Sequence, residues 1–291
     1  MPTYHLGTLD AASKAALSEG DLHPSPESNS PRSTFLNPRS WTKALLHSKR
    51  VISADTRIFT FSLEHPSQTL GLPIGQHLMV RLRDPVTRDA IIRSYTPISD
   101  TSKEGFLDVL VKVYFDTPDA KGGRMTKAMD ALPVGHAVDF KGPIGKFEYL
   151  GRGLCAINGV KRPVSRLAMI CAGSGITPIF QVFRAVMQDP ADKTACTVLN
   201  GNRLVEDILC KEDLDALIKG NEDKAKVVYT LTKAPEGWEG LRGRIGEELV
   251  KEHCKRDEQT MVLVCGPEAL EKSVHKVLRE QGWADEQILF F

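Results

Sequence analysis

Arg93-Ser94-Tyr95-Thr96-Pro97-Ile98-Ser99 sets a cation, an aromatic ring and several hydroxyls along one extended segment. Such a set can neutralise a pyrophosphate, stack on a planar ring and hydrogen-bond a sugar or the edge of a heterocycle. Gly173-Ser174-Gly175-Ile176-Thr177-Pro178 follows an apolar run and forms a tight glycine turn. Turns of this kind let a dinucleotide phosphate approach the backbone at the start of a helix. Pro178 stands where G-x-G-x-x-G would carry its third glycine, and proline suits a first helical turn. Cys265-Gly266-Pro267 closes a later apolar run. Two dinucleotide-type sites in one chain imply electron transfer between two cofactors.

Other residues support the first site. Val111, Lys112 and Tyr114 lie on a neighbouring strand-like segment, and Lys112 and Tyr114, two apart, share one face. Gly122-Gly123-Arg124-Met125-Thr126 opens a helix, where glycines and free amides admit a phosphate. At the second site, Asn202 and Arg203 follow the second strand of the C-terminal half. An arginine there accommodates the 2′-phosphate of NADP, whereas an acid favours the 2′-hydroxyl of NAD. A solvated surface arginine is the competing reading, so the pattern leans to NADPH and leaves NADH open. Cys265 is either a buried strand-end cysteine or one that shapes a nicotinamide pocket. No accompanying histidine pattern makes it a protease-type nucleophile.

Composition narrows the class. The chain has 291 residues, enough for two domains with separate cores. Lys+Arg 38 against Asp+Glu 37 leaves no basic excess, so no nucleic-acid footprint is expected. No apolar run approaches the roughly 18 residues of a membrane helix, and Met1-Pro2-Thr3-Tyr4-His5 does not open a signal peptide. Cysteines 155, 171, 196, 210, 254 and 265 are scattered singly, and the histidines show no ligand spacing. No metal site is expected, and a reducing, cytoplasmic compartment is.

These groups must be held by two different kinds of element. From 41 to 150, period-two runs such as Arg57 to Leu63, Gln76 to Leu82, Leu107 to Tyr114 and Ala137 to Phe140 predict an antiparallel β-barrel. One helix interrupts it near Met125 to Leu132. After a linker at 151–165, residues 166–291 alternate strands (Leu167–Ala172, Cys196–Leu199, Val227–Leu231, Met261–Cys265, Ile288–Phe291) with helices (Pro178–Met187, Glu206–Ile218, Ile245–Cys254, Glu268–Glu280). That alternation predicts a Rossmann-like α/β domain with a parallel sheet. Residues 1–40, rich in Ser and Pro between Ser18 and Arg39, predict a flexible hinge.

From 41 to 291 the motifs, in this order, resemble the ferredoxin–NADP reductase superfamily in its cytochrome b5 reductase branch. Lys141-Gly142-Pro143-Ile144-Gly145, Tyr149-Leu150-Gly151-Arg152-Gly153 and Asn200-Gly201-Asn202-Arg203 are similar to the C-terminal flavin modules of fungal assimilatory nitrate reductases. Tyr4 to Asp10 resembles the end of the haem domain that precedes such modules. The resemblance implies FAD bound by Arg93, Ser94, Tyr95, Thr96, Val111, Lys112, Tyr114, Gly123, Arg124, Met125 and Thr126. It implies NADPH, or NADH, over Gly173, Ser174, Gly175, Thr177 and Pro178, with Asn202 and Arg203 at the adenosine end and Cys265, Gly266 and Pro267 at the nicotinamide. Cys265 and Thr96 are the implied catalytic residues.

It further implies single-electron delivery to a cytochrome b5-type haem domain, in support of nitrate reduction. Haem and molybdenum cofactor would belong only to domains upstream of this chain. Where the family continues Cys-Gly-Pro with Pro-Pro-Met, this chain has Glu268-Ala269-Leu270. A stand-alone NAD(P)H–cytochrome b5 reductase is a second reading, and a non-catalytic nucleotide-binding fragment a third.

Overall fold

The structure, a computed structural model, describes residues 34–291. The segment Tyr4 to Asp10 and most of the expected hinge lie outside the described residues.

Strands β1 (Thr42–Ser53), β2 (Thr56–Ser62), β3 (His77–Arg83), β4 (Ala90–Tyr95), β5 (Phe106–Lys112) and β6 (Ala137–Ile144) form an antiparallel sheet in the order β4-β3-β6-β1-β2-β5. Helix α1 (Arg124–Asp130) lies between β5 and β6 in the chain. The alternation along β2 has a direct cause: Phe59 and Phe61 point inward while Ile58 and Thr60 stay partly exposed. Phe61 meets Phe140 edge-on at 5.0 Å between ring centres. Each fully buried Phe contributes about 1.5–3 kcal/mol of transfer energy. The two ends of the sheet then meet. Beyond β4, the Ile98 amide donates to the Asp108 carbonyl at 2.9 Å, and the Asp108 amide donates to Ser99 Oγ at 3.0 Å. These bonds close the sheet into the expected barrel.

Residues 151–165, expected as a linker, contribute instead to a three-stranded antiparallel sheet: β7 (Phe147–Gly151), β8 (Leu154–Ile157) and β9 (Val160–Pro163). Positive φ at Arg152 and Asn158 makes its hairpin turns. With four or five residues each, these strands are too short for period-two patterning to reveal them.

The C-terminal part runs β10 (Arg166–Ala172), α2 (Ile176–Gln188), β11 (Ala195–Asn202), α3 (Lys211–Ile218), β12 (Ala225–Leu231), β13 (Leu241–Arg242), α4 (Glu247–His253), β14 (Thr260–Cys265), α5 (Glu268–Glu280) and β15 (Ile288–Phe290). The parallel sheet has the order β13-β12-β11-β10-β14-β15. Both faces are covered. Leu167, Met169 and Cys171 pack with Val182, Phe183 and Leu214 on one side, and Ala168 and Ile170 with Val250, Val274 and Leu278 on the other. Strand order reverses between β10 and β14, and ligands of open α/β sheets bind in the crevice beyond such a reversal.

The expected helix Glu206–Ile218 is broken. A 3-10 turn covers Val205–Asp207, and Cys210 at φ 56 caps α3. Ile208 and Leu209 turn inward between the two pieces and are buried. Tertiary burial of that pair overrides the helical periodicity.

The small sheet is tied to the parallel one by a buried polar knot. Tyr149 Oη donates to Asp192 Oδ2 at 2.6 Å, and the amides of Arg152 and Thr194 donate to the same carboxylate. Asp192 is 0 % exposed. Burial alone would raise its pKa, but the bonds from Tyr149 and the amides outweigh it and hold the carboxyl below its ordinary range. Tyr149→Phe removes one donor from a buried carboxylate, so a loss of about 1–3 kcal/mol is expected, read from the urea midpoint at pH 7. The depressed pKa gives a sign: the deficit is complete at neutral pH and shrinks as pH falls through that lowered pKa, where the Asp192 carboxyl protonates. An unchanged midpoint at pH 7 would contradict this role for Tyr149.

Candidate functional site

One cleft of about 1260 Å³ runs between the barrel and the carboxyl ends of β10, β11 and β14. Every site residue expected from the sequence lines it. On the barrel wall stand Arg93, Ser94, Tyr95 and Thr96 from β4 and its continuation, and Val111, Lys112 and Tyr114 at the end of β5. Gly123, Arg124, Met125 and Thr126 join them where α1 begins. Gly122 explains that proximity: a Cβ there would sit 2.2 Å from the Tyr114 carbonyl oxygen. Only glycine lets the turn lie against β5 so closely.

On the opposite wall, Gly173, Ser174, Gly175, Thr177 and Pro178 lead from β10 into α2. A Cβ on Gly175 would fall 2.2 Å from the Cys265 carbonyl oxygen. The glycine turn is therefore pressed onto the end of β14, and Cys265, Gly266 and Pro267 enter the same cleft. Burial pushes the Cys265 thiol up to about 12. It is a neutral group at physiological pH, not a thiolate. Tyr95 is pushed up to about 12 by burial as well. Thr96 and Thr177 are both buried, and Thr177 Oγ1 donates to the Ser174 carbonyl.

The cations of the cleft fall into two groups. Lys112 Nζ is held between Asp207 at 2.5 Å and Asp55 at 2.9 Å. Arg124 pairs with Asp84 at 2.8 Å and lies 3.7 Å from Asp89. Arg93, by contrast, donates only to the Ile92 carbonyl among the described residues. Arg203 and Arg244 line the cleft exposed, and neither has an ion-pair partner among the described residues. Unpaired guanidinium groups converging on a cleft fit phosphate oxygens from outside the chain. The residues present therefore fit two phosphorylated cofactors: a large cleft, two glycine cradles and three uncommitted arginines.

Sequence reasoning missed several lining residues: His77, Asp207, Thr232, Arg244 and Phe291. Arg244 follows β13, which spans two residues and leaves no periodic signal. Thr232 and Lys233 are brought beside Arg203 by backbone bonds, the Thr232 amide donating to the Asn202 carbonyl and the Lys233 amide to the Arg203 carbonyl. Only the fold reveals that neighbourhood.

Comparison with known proteins agrees with this geometry. Residues 43–149 match the model of the oxidoreductase FAD-binding domain, and 169–276 that of the oxidoreductase NAD-binding domain. The chain is 61% identical over its whole length to nitrate reductase [NADPH] of Leptosphaeria maculans, and 59% to that of Aspergillus niger. It spans 33% of each of those proteins. The crystal structure of the cytochrome b5 reductase domain of Ulva prolifera nitrate reductase superposes with TM-score 0.84 at 35% identity, covering 89% of this chain and 100% of that one. The chain is thus an FAD-dependent NAD(P)H oxidoreductase, and it belongs to the family of cytochrome b5 reductase-type domains of nitrate reductases.

Proposed function

We propose that this chain is the electron-input module of an assimilatory nitrate reductase, taking reducing equivalents from NADPH and passing them singly to a b-type haem domain. The observation that carries the reading is the shared cleft, in which the barrel motif and the glycine turn face each other. When bound, FAD supplies the chemistry that accepts a hydride from a nicotinamide and releases electrons one at a time. The chain's own residues bind and orient. Arg93 and Arg124 neutralise the FAD pyrophosphate, with the amides of Met125 and Thr126 beside Gly123. Ser94, Tyr95, Val111, Lys112 and Tyr114 frame the flavin side. Thr96 hydrogen-bonds at the ring, and Thr177 faces it from the other wall.

Gly173, Ser174, Gly175 and Pro178 take the NADPH backbone, Asn202 and Arg203 its adenosine end, and Cys265, Gly266 and Pro267 its nicotinamide. Arg244 joins Arg203 at the 2′-phosphate, because both are uncommitted cations lining the cleft, beyond the ends of β13 and β11 on either side of β12. Cys265 acts as a shaped wall: its high pKa keeps it from serving as a base. The names of the fungal relatives support NADPH and a nitrate-reducing whole, whose haem and molybdenum centres lie outside this chain. A cytoplasmic setting fits the six free cysteines. Among the described residues no helix is long and apolar enough to cross a membrane.

The haem step is tested by mixing the NADPH-reduced chain with a purified cytochrome b5-type haem domain and following the haem spectrum. Rapid haem reduction is expected; a haem that stays oxidised would overturn that part of the proposal. Arg203→Glu and Arg244→Glu should each raise the KM for NADPH at least about tenfold, with a much smaller effect on NADH. Equal effects on the two nucleotides would remove both residues from the 2′-phosphate. For Cys265, alkylation by iodoacetamide at pH 8 should run at least about a hundredfold slower than for free cysteine. Fast labelling would show an accessible thiolate and reject the neutral wall.

A further inference from the structure

Beside a shared apolar core, two polar seams of different character join barrel and parallel sheet among the described residues. The first is on α2. Gln181 Oε1 accepts the Gly75 amide at 2.7 Å, and Arg184 donates to the carbonyls of Ile98 and Ser99. Gln181 is 1% exposed. This seam is buried at Gln181 and partly buried at Arg184, and fixes one line of contact. The second seam crosses the cleft itself. Lys112, at the end of β5, reaches Asp207 in the 3-10 turn after β11, and Asp55 on its own side, between β1 and β2. Its side chain is 18% exposed, and those of Asp207 and Asp55 are 15% and 37%.

The two carboxylates are not equivalent. Asp55 and Lys112 both belong to the barrel, so their bond does not restrain the domains. Asp207 belongs to the nucleotide half and makes a second bond there. Its Oδ2 accepts the Leu204 amide at 3.1 Å, while Oδ1 takes Lys112. Leu204 directly follows Arg203. One carboxylate thus links the loop carrying Arg203 to the barrel strand that faces the flavin site.

We propose that Asp207 is a positioning residue: through Lys112 it latches the Arg203 loop to the barrel and sets the distance between the two halves of the cleft. The inference rests on hydride transfer within this cleft. A displacement of about 1 Å between reacting groups costs on the order of a hundredfold in rate, so a latch across the cleft acts on the chemical step more than on FAD retention. Because the pair is partly buried, salt weakens it less than a surface pair but does not leave it untouched.

The test uses the FAD-loaded chain at saturating NADPH, with flavin bleaching followed by stopped flow. Asp207→Asn keeps a side-chain oxygen for the Leu204 amide and loses the ion pair. It is expected to lower the limiting rate of flavin reduction at least about tenfold while FAD content and Tm stay near wild type. Asp207→Glu should recover most of the rate. Asp55→Asn, which leaves the cross-cleft bond in place, should change it less than about twofold. Equal loss in Asp207→Asn and Asp55→Asn, or a rate in Asp207→Asn equal to wild type, would overturn the latch. A loss in Asp207→Asn matched by an equal loss of FAD or Tm would likewise assign Asp207 to structure alone. Failure of the underlying functional reading would look different, since wild type itself would then not be bleached.

Discussion

Everything in the cleft depends on how α2 holds the barrel. Gln181 and Arg184 are one helical turn apart and face the same way. One receives the Gly75 amide and the other donates to the chain just beyond β4. That chain is also where the barrel closes, through Ile98 and Ser99 onto Asp108. Barrel closure and domain docking therefore share the same residues. The arrangement carries a cost: among the described residues Gln181 Nε2 is buried without a partner, a penalty of about 1–3 kcal/mol that the surrounding packing must offset. Displacing α2 would move the glycine turn at its start, and with it the end of β14 against which Gly175 is pressed.

Charge is distributed to match. The chain as a whole is nearly neutral, yet cations gather on both walls of its cleft. Two carry ion pairs within the chain, Lys112 to Asp55 and Asp207 and Arg124 chiefly to Asp84, with the Arg124 side chain still 56% exposed toward the cleft. Three others, Arg93, Arg203 and Arg244, line the cleft with no ion-pair partner among the described residues. Committing some cations and sparing others gives both a rigid frame and an electrostatic attraction for phosphate, without a net basic surface that would attract nucleic acid. The high pKa values of Tyr95 and Cys265 belong to the same design, since groups that remain neutral do not compete for those arginines.

Much of this was legible in the sequence, for physical reasons. Strand β10 is buried on both faces and reads as a continuous apolar run, and α5 keeps helical periodicity along its whole length. The barrel strands alternate because one face is core. Strand β1 left no clear pattern, since beyond Leu46 it is mostly exposed. Strands β8, β9 and β13 are too short to carry a period, and the break at Cys210 follows from burial of Ile208 and Leu209, which local propensity cannot foresee. The candidate residues that line the cleft could be picked out together because they sit in contiguous motifs. Asp207 and Arg244 were not, because only the packing of the two halves gives them neighbours to act on.

The central claim is that this cleft brings a nicotinamide and a flavin into register for hydride transfer. It is tested most directly by mixing the FAD-loaded chain anaerobically with NADPH deuterated at either face of nicotinamide C4. The predicted result is bleaching of the flavin absorbance, slowed severalfold by deuterium on one face and unaffected by deuterium on the other, as a single fixed alignment requires. A flavin that stays oxidised, or that is bleached with no preference between the two faces, would contradict it.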